Sequence, residues 1–332
     1  MSDERRYSGS LIGQCLGDAL GFVVEGEPPE VCREYMEGIR RVGRVGEYGR
    51  APFPFGQYSD DSQLARELLQ SYAERGRFDP HDYARRIALI FVENRIVGRG
   101  QATEQAAWRL AAGTPWEEAG TPSPSAGNGS AMRAGPIGVL FSDDPKQMVR
   151  AAHDQGRITH RDPRCSAGAV VIAGAVALAV RNAEIKAGRF LSQLAEWAAP
   201  FEGSVADALR QSAAWASLPP EEAVVLISGV GHNPDYPDEV RGISPFVTTS
   251  VLWSLYSFLR SPDDYWETVC TAIAVGGDVD TTAAMAGAIS GAYLGLEAIP
   301  ERWARCVTDR GTWGYDELVE LAHRCHRLKV GS

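Results

Sequence analysis

The chain is short of cysteine, of positive charge and of long apolar runs, and each shortage removes a class of protein. Six cysteines (Cys15, Cys32, Cys165, Cys270, Cys306, Cys325) are scattered over 332 residues with no CxxC pair. A chain of this size does not depend on disulfides, and reduced thiols suit it. Lysine and arginine together number 33 against 43 aspartates and glutamates, a formal net charge of -10. That balance disfavours a nucleic-acid backbone or an anionic membrane as the main partner, since either would be repelled at long range. The longest apolar run, GAVVIAGAVALAV from Gly168 to Val180, falls short of the roughly 20 residues that cross a bilayer and reads as a buried helix. The opening MSDERRYSGS has no apolar signal core, which predicts a cytoplasmic protein.

Alternating strand patterns are also scarce. Apolar residues recur at helical spacing instead, as in Leu64, Leu68, Leu69 and Tyr72, or Val251, Leu252, Leu255, Tyr256 and Leu259, which predicts an all-α fold. Alanine-rich stretches such as EQAAWRLAAG add helix propensity and allow close helix approach. Glycine and proline concentrate in residues 43–58, 113–136 and 228–246, which read as loops. No compositional shift divides residues 1–332, so a single domain is expected. The cluster His323, Cys325 and His326 sits on the helix-period stretch ELVELAHRCHRL, and reads as helix surface rather than a zinc site.

Two acidic pairs carry the chemistry. Asp60 and Asp61 in YSDDSQLARELL, and Asp278 and Asp280 in GGDVDTTAAMAG, each open an apolar-periodic helix. Capping by carboxylates at helix N-termini is the plain reading. One carboxylate suffices for a cap, however, and each site has two with hydroxyls beside them: Ser59 and Ser62, then Thr281 and Thr282. If the two helix starts converge, four carboxylates and several hydroxyls make an all-oxygen site of the kind that hard divalent cations take. Four negative charges balance two such ions. The segment DVDTT also matches the signature of aspartate-nucleophile phosphatases, but too little chain follows it for that fold. An EF-hand lacks its third ligand, central glycine and closing glutamate.

SAGNGSAMRAGP, residues 125–136, places Gly127 and Gly129 around Asn128 before a helix, an arrangement open to a plain turn or to an anion cradle. Thr159-His160 in GRITHRDP is equally open to a structural role or a phosphate or ribose contact.

Taken together, GSLIGQCLGDALGFVVE, YSDDSQ, GNGSAMRAGP, ITHRDP and GGDVDTTAAMAGAISGAYLG, in this order, resemble the ADP-ribosylglycohydrolase family over nearly the whole chain. The resemblance implies an all-α domain with two divalent cations, Mg2+ or Mn2+, at the bottom of an ADP-ribose cleft. It implies Ser59, Asp60, Asp61, Asp278, Asp280 and Thr281 as metal ligands, with Ser59 standing where threonine is commoner. It implies Glu25 as a catalytic carboxylate alongside Asp60. Gly127, Asn128, Gly129 and Ser130 match a diphosphate-binding loop, with Met132 from the same motif, His160 and Phe246 as further substrate contacts. Arg99, in IVGRGQAT, stands where arginine-specific members tend to carry an acidic residue, which puts an arginine-linked substrate in doubt. The implied activity is hydrolysis of the glycosidic bond at the distal ribose of an ADP-ribosylated protein or other acceptor. The alternative is an ADP-ribose-binding or toxin-immunity protein without turnover.

Overall fold

Gly9, Gly13, Gly17 and Gly21 recur every fourth residue along the first helix, Asp3–Phe22, and so share one face. In the computed structural model, which describes residues 3–42, 49–231 and 241–331, that face lies against the helix Val279–Leu294. A Cβ added at Gly13 would stand 2.4 Å from the carbonyl oxygen of Gly287, and one at Gly17 only 2.2 Å from that of Ala283. The partner helix answers in kind, since a Cβ at Gly291 would stand 2.0 Å from the oxygen of Gly9. Backbone therefore rests on backbone, at a separation that larger side chains forbid. Arg6 tightens the far end by donating from Nη1 to the carbonyl of Ala179 at 2.6 Å.

Around this pair the described residues form seventeen α-helices and two 3-10 turns, with isolated bridges but no strand. The all-α reading of the sequence holds. The predicted loop at 113–136 is less irregular than its composition suggests, for it contains a one-turn helix, Trp116–Ala119, and the 3-10 turn Asn128–Ser130. Residues 43–48 and 232–240 of the other two predicted loops lie outside the described residues.

The apolar run at Gly168–Val180 belongs to the longer helix Pro163–Arg181, started by Pro163 and by Asp162, whose side chain accepts from the N–H of Arg164. By length and composition alone this helix could cross a membrane, yet 83% of its most apolar stretch is buried inside the protein. Its apolarity on all sides is that of a central core helix. The helix Asp60–Arg75 packs on the outside of the glycine ladder, and its apolar residues Leu64, Leu68 and Leu69 join the same core. The turn Asp309–Thr312, ahead of the last helix, holds it in register: Asp309 accepts from Gln63 Nε2 at 2.9 Å and from Arg66 Nη1 at 2.7 Å.

Candidate metal centre and ligand cavity

The first turn of Asp60–Arg75 is capped without using Asp60 or Asp61. Ser59 Oγ accepts from the N–H of Asp61 at 3.3 Å. Asp18, on the glycine-faced helix, accepts from the N–H of Ser59 at 2.9 Å and of Ser62 at 3.0 Å. The exposed donors of the helix start are thus satisfied by two other side chains, and the carboxylates of Asp60 and Asp61 are left over. Asp61 takes one hydrogen bond, from Ser59 Oγ at 3.0 Å, and its Oδ1 is buried with no hydrogen-bond partner. Capping, the plain reading of this acidic pair, does not account for it.

The second pair is placed by the glycines in front of it. Gly276 and Gly277 both have positive φ, 78° and 84°, which L side chains rarely adopt. Their turn threads between two other segments: Gly26 donates to Gly277 and Ile243 to Gly276, while Asp278 donates its N–H to Ile243 at 2.8 Å. A Cβ at Gly277 would fall 2.3 Å from the oxygen of Ile243. Asp278 then stands at the start of Val279–Leu294 without capping it by its side chain. Asn128 Nδ2 donates to Asp278 Oδ2 and also lies 2.9 Å from Ser250 Oγ. The glycine-loop asparagine is therefore a tether for the acidic centre, and its backbone N–H is engaged too, with Pro245 at 3.0 Å.

The two helix starts meet. Asp60, Asp61, Asp278, Asp280 and Thr281 line one cavity of about 590 Å³, together with Glu25, Gly127, Asn128, Gly129, Met132 and His160. This volume is within the usual range of small-molecule sites. Oxygens of Glu25, Asp278 and Asp280 lie within 4.8 Å of one another. Burial, followed by the charges of neighbouring carboxylates, pushes Asp60 up to about 7. Asp18 is likewise raised to about 7 and Asp278 to about 6, in each case chiefly by burial. Asp61 and Asp280 stand well above the usual carboxylate range for the same reasons. Among the described residues no arginine or lysine forms an ion pair with any of these five aspartates. Glu25, the most exposed carboxylate of the group, pairs with Arg50, which also donates to the carbonyl of Phe22 at 3.1 Å.

Buried, mutually repelling carboxylates without a basic partner, one of them with an orphaned oxygen, require either protons or cations. The donor set on the cavity is oxygen throughout, from Asp60, Asp61, Asp278, Asp280 and Thr281, and so suits hard divalent ions.

Not every residue singled out in the sequence faces the cavity. Ser59 lies behind it as the helix cap. Ser130 is buried and donates to the carbonyl of Cys165 at 2.9 Å, a packing role. Phe246 is also buried, with the Arg164 guanidinium 5.5 Å from its ring centre, and the neighbouring Pro245 lines the cavity instead. Asp18 was not singled out. The only signal for it was an aspartate inside the otherwise apolar stretch LGDALG. Thr103, also a wall residue, gave no signal at all.

The chain matches the family model described as ADP-ribosylglycohydrolase over residues 1–331. It is 31% identical to ADP-ribosylhydrolase ARH3 of Xenopus tropicalis over 350 residues, covering 98% of this chain and 97% of that protein. It is 26% identical to ADP-ribosylarginine hydrolase Tri1 of Pseudomonas putida, covering 91% of this chain and 74% of that one. Among solved structures, an ADP-ribosylglycohydrolase-related protein complex superposes with a TM-score of 0.73 at 27% identity, covering 98% of this chain and 99% of its counterpart.

Proposed function

The chain belongs to the ADP-ribosylglycohydrolase family, and from that premise we propose that it is a divalent-metal-dependent hydrolase that frees ADP-ribose from an ADP-ribosylated acceptor. The observation that carries this reading is the meeting of Asp60 and Asp61 with Asp278 and Asp280 on one cavity. Mg2+ or Mn2+ held by Asp60, Asp61, Asp278, Asp280 and Thr281 would neutralise the carboxylates and supply Lewis acidity beside the distal ribose.

The protein's own groups account for the remaining steps. Hydrolysis breaks the bond from the anomeric carbon to the acceptor nitrogen or oxygen and forms a new bond to the oxygen of water. The water proton passes to a carboxylate, and the leaving atom recovers a proton. Glu25 is the best placed of the carboxylates to exchange protons with solvent, because its side chain is 37% exposed while the four aspartates of the wall are buried. The negative wall also favours the positive character that develops on the ribose ring as the bond breaks. Gly127 and Gly129 line the same cavity, and at Gly129 the missing side chain leaves room beside His160 for the rest of the ligand.

The test is release of ADP-ribose from defined linkages, to arginine, serine, a nucleic-acid base or a small metabolite, with Mg2+ or Mn2+ present and with chelator. Turnover of at least one linkage is expected with metal only, and Asp280→Asn should lose both metal binding and turnover. ADP-ribose binding without turnover of any linkage would make the protein a binding or immunity protein instead.

A further inference from the structure

Arg133, from the motif GNGSAMRAGP, is fully buried, and among the described residues it forms no ion pair with a carboxylate. Its Nε donates to Gln155 Oε1 at 2.9 Å, and its Nη2 donates to the carbonyl of Gln155 at 3.0 Å and to Thr159 Oγ1 at 2.7 Å. Gln155 in turn donates from Nε2 to the carbonyl of Ser130 at 2.8 Å. Its amide orientation is fixed by having an obligate donor on one side and a carbonyl on the other. A buried guanidinium without a counter-charge, its Nη1 lacking a hydrogen-bond partner, is costly, so its placement here calls for a reason.

The chain of donors has one consistent direction. A guanidinium has no acceptor, so Thr159 Oγ1 accepts from Arg133. The only other hydrogen-bond partner of Thr159 Oγ1 among the described residues is His160 Nδ1, at 2.8 Å. The single hydroxyl hydrogen therefore points to Nδ1, and the proton of the neutral ring resides on Nε2. The opposite assignment would leave the threonine hydrogen without an acceptor in a buried site, which is unfavourable. Burial, and after it the charge of Arg133, push the imidazole down to about 3, so the ring is uncharged. Its Cε1–Nε2 edge lies on the cavity wall against Gly129, where an added Cβ would stand 2.7 Å from Cε1 and 3.3 Å from Nε2.

We propose that Arg133, acting through Thr159, locks His160 as its Nε2–H tautomer, so that the cavity wall presents a fixed N–H donor to an oxygen of the bound ligand. Arg133 and Thr159 are then positioning residues. The identity of the ligand as ADP-ribose rests on the function proposed above, whereas the tautomer does not. A ring free to carry its proton on Nδ1 would turn an acceptor lone pair toward an oxygen-rich ligand and repel it.

Long-range 1H–15N NMR of the histidine side chains at neutral pH tests this, with the His160 signals assigned by their loss in His160→Gln. The wild type should show Nδ1 as acceptor and Nε2 protonated. Thr159→Val, which keeps the shape and removes the hydroxyl, should abolish that single form and weaken ADP-ribose binding about tenfold. Thr159→Ser should restore both. Protonation at Nδ1 in the wild type, or an unchanged tautomer in Thr159→Val, overturns the proposal. Should the wild type fail to bind ADP-ribose at all, the reading of the ligand falls, while the tautomer comparison still decides the relay.

Discussion

Asp18 accepts the backbone N–H of Ser59 at 2.9 Å through one oxygen and that of Ser62 at 3.0 Å through the other. Asp18 and Ser59 lie 41 apart in sequence, so a single carboxylate on the glycine-faced helix fixes where the first ligand group begins. Because Val279–Leu294 rests on that same helix, both halves of the acidic centre are referred to one rigid element.

Removing Asp18 should therefore disturb stability and metal binding together. Asp18→Ala leaves two buried N–H groups unpaired, partly offset by the loss of a buried carboxyl, and a net cost of about 2 kcal/mol is expected. Calorimetric affinity for Mn2+ should fall about tenfold as the Ser59–Asp61 turn loosens. Denaturant melts and titrations that match the wild type would show that the cap is dispensable.

The acidic centre should give the metal-free protein an inverted pH response. Burial raises Asp18 and Asp60 from 3.8 to about 7 and Asp278 to about 6. Between about pH 4 and 7 the folded state thus binds more protons than the unfolded chain, and its stability falls as pH rises through that window. In chelator the melting temperature should be higher at the acid end of the window than above it. Added Mg2+ or Mn2+ should raise it strongly above pH 7 and weakly near pH 5, where protons compete for the same oxygens. A metal-induced shift independent of pH would mean that the ions bind elsewhere.

The glycine ladder predicts opposite outcomes for one substitution at two sites. Gly17→Ala places its Cβ 2.2 Å from the oxygen of Ala283, and the two helices must part, at a cost of about 2 kcal/mol or more. Gly188→Ala, in the helix Ala187–Ala198, meets nothing within 4 Å. There the gain in helix propensity should stabilise by up to about 1 kcal/mol. Equal effects in urea melts would remove close packing as the reason for the ladder.

How much of this was legible beforehand divides along physical lines. The all-α class could be read because amphipathic periodicity is local, and the acidic pairs could be read because two like charges at one helix start exceed what a cap needs. Convergence could not, since it depends on Gly9, Gly13, Gly17 and Gly21 meeting Gly291, Gly287, Ala283 and Asp280 in turn across more than 250 residues of chain. Nor could the true caps, because Asp18 looks like any helix residue until its partners are in place. Phe246 differs again: its segment reaches the cavity through Pro245, while the ring itself is buried beside Arg164, and which of two neighbouring residues forms the wall is set by tertiary packing.

Arg99 supplies the last prediction, on which acceptor is cleaved. It lines the cavity between Gly98 and Gly100, and a Cβ on Gly98 would come within 2.6 Å of Asp60 Oδ1. With the ribose bound beside Asp60, as the proposed function has it, the acceptor is expected to leave across this segment. Arg99 is bound to Glu104 at 2.9 Å and to Asn94, which holds its guanidinium at the rim. A cationic guanidine leaving group would meet the Arg99 charge there, offset only in part by Glu104, whereas a hydroxyl acceptor would not be repelled. Serine-linked ADP-ribose should accordingly be hydrolysed with a higher kcat/KM than arginine-linked ADP-ribose. Arg99→Glu should move that ratio toward arginine by about fivefold, the size of an exposed charge effect of about 1 kcal/mol. The shift should shrink at high salt. A ratio that stays fixed in Arg99→Glu would place the acceptor's path over another part of the rim.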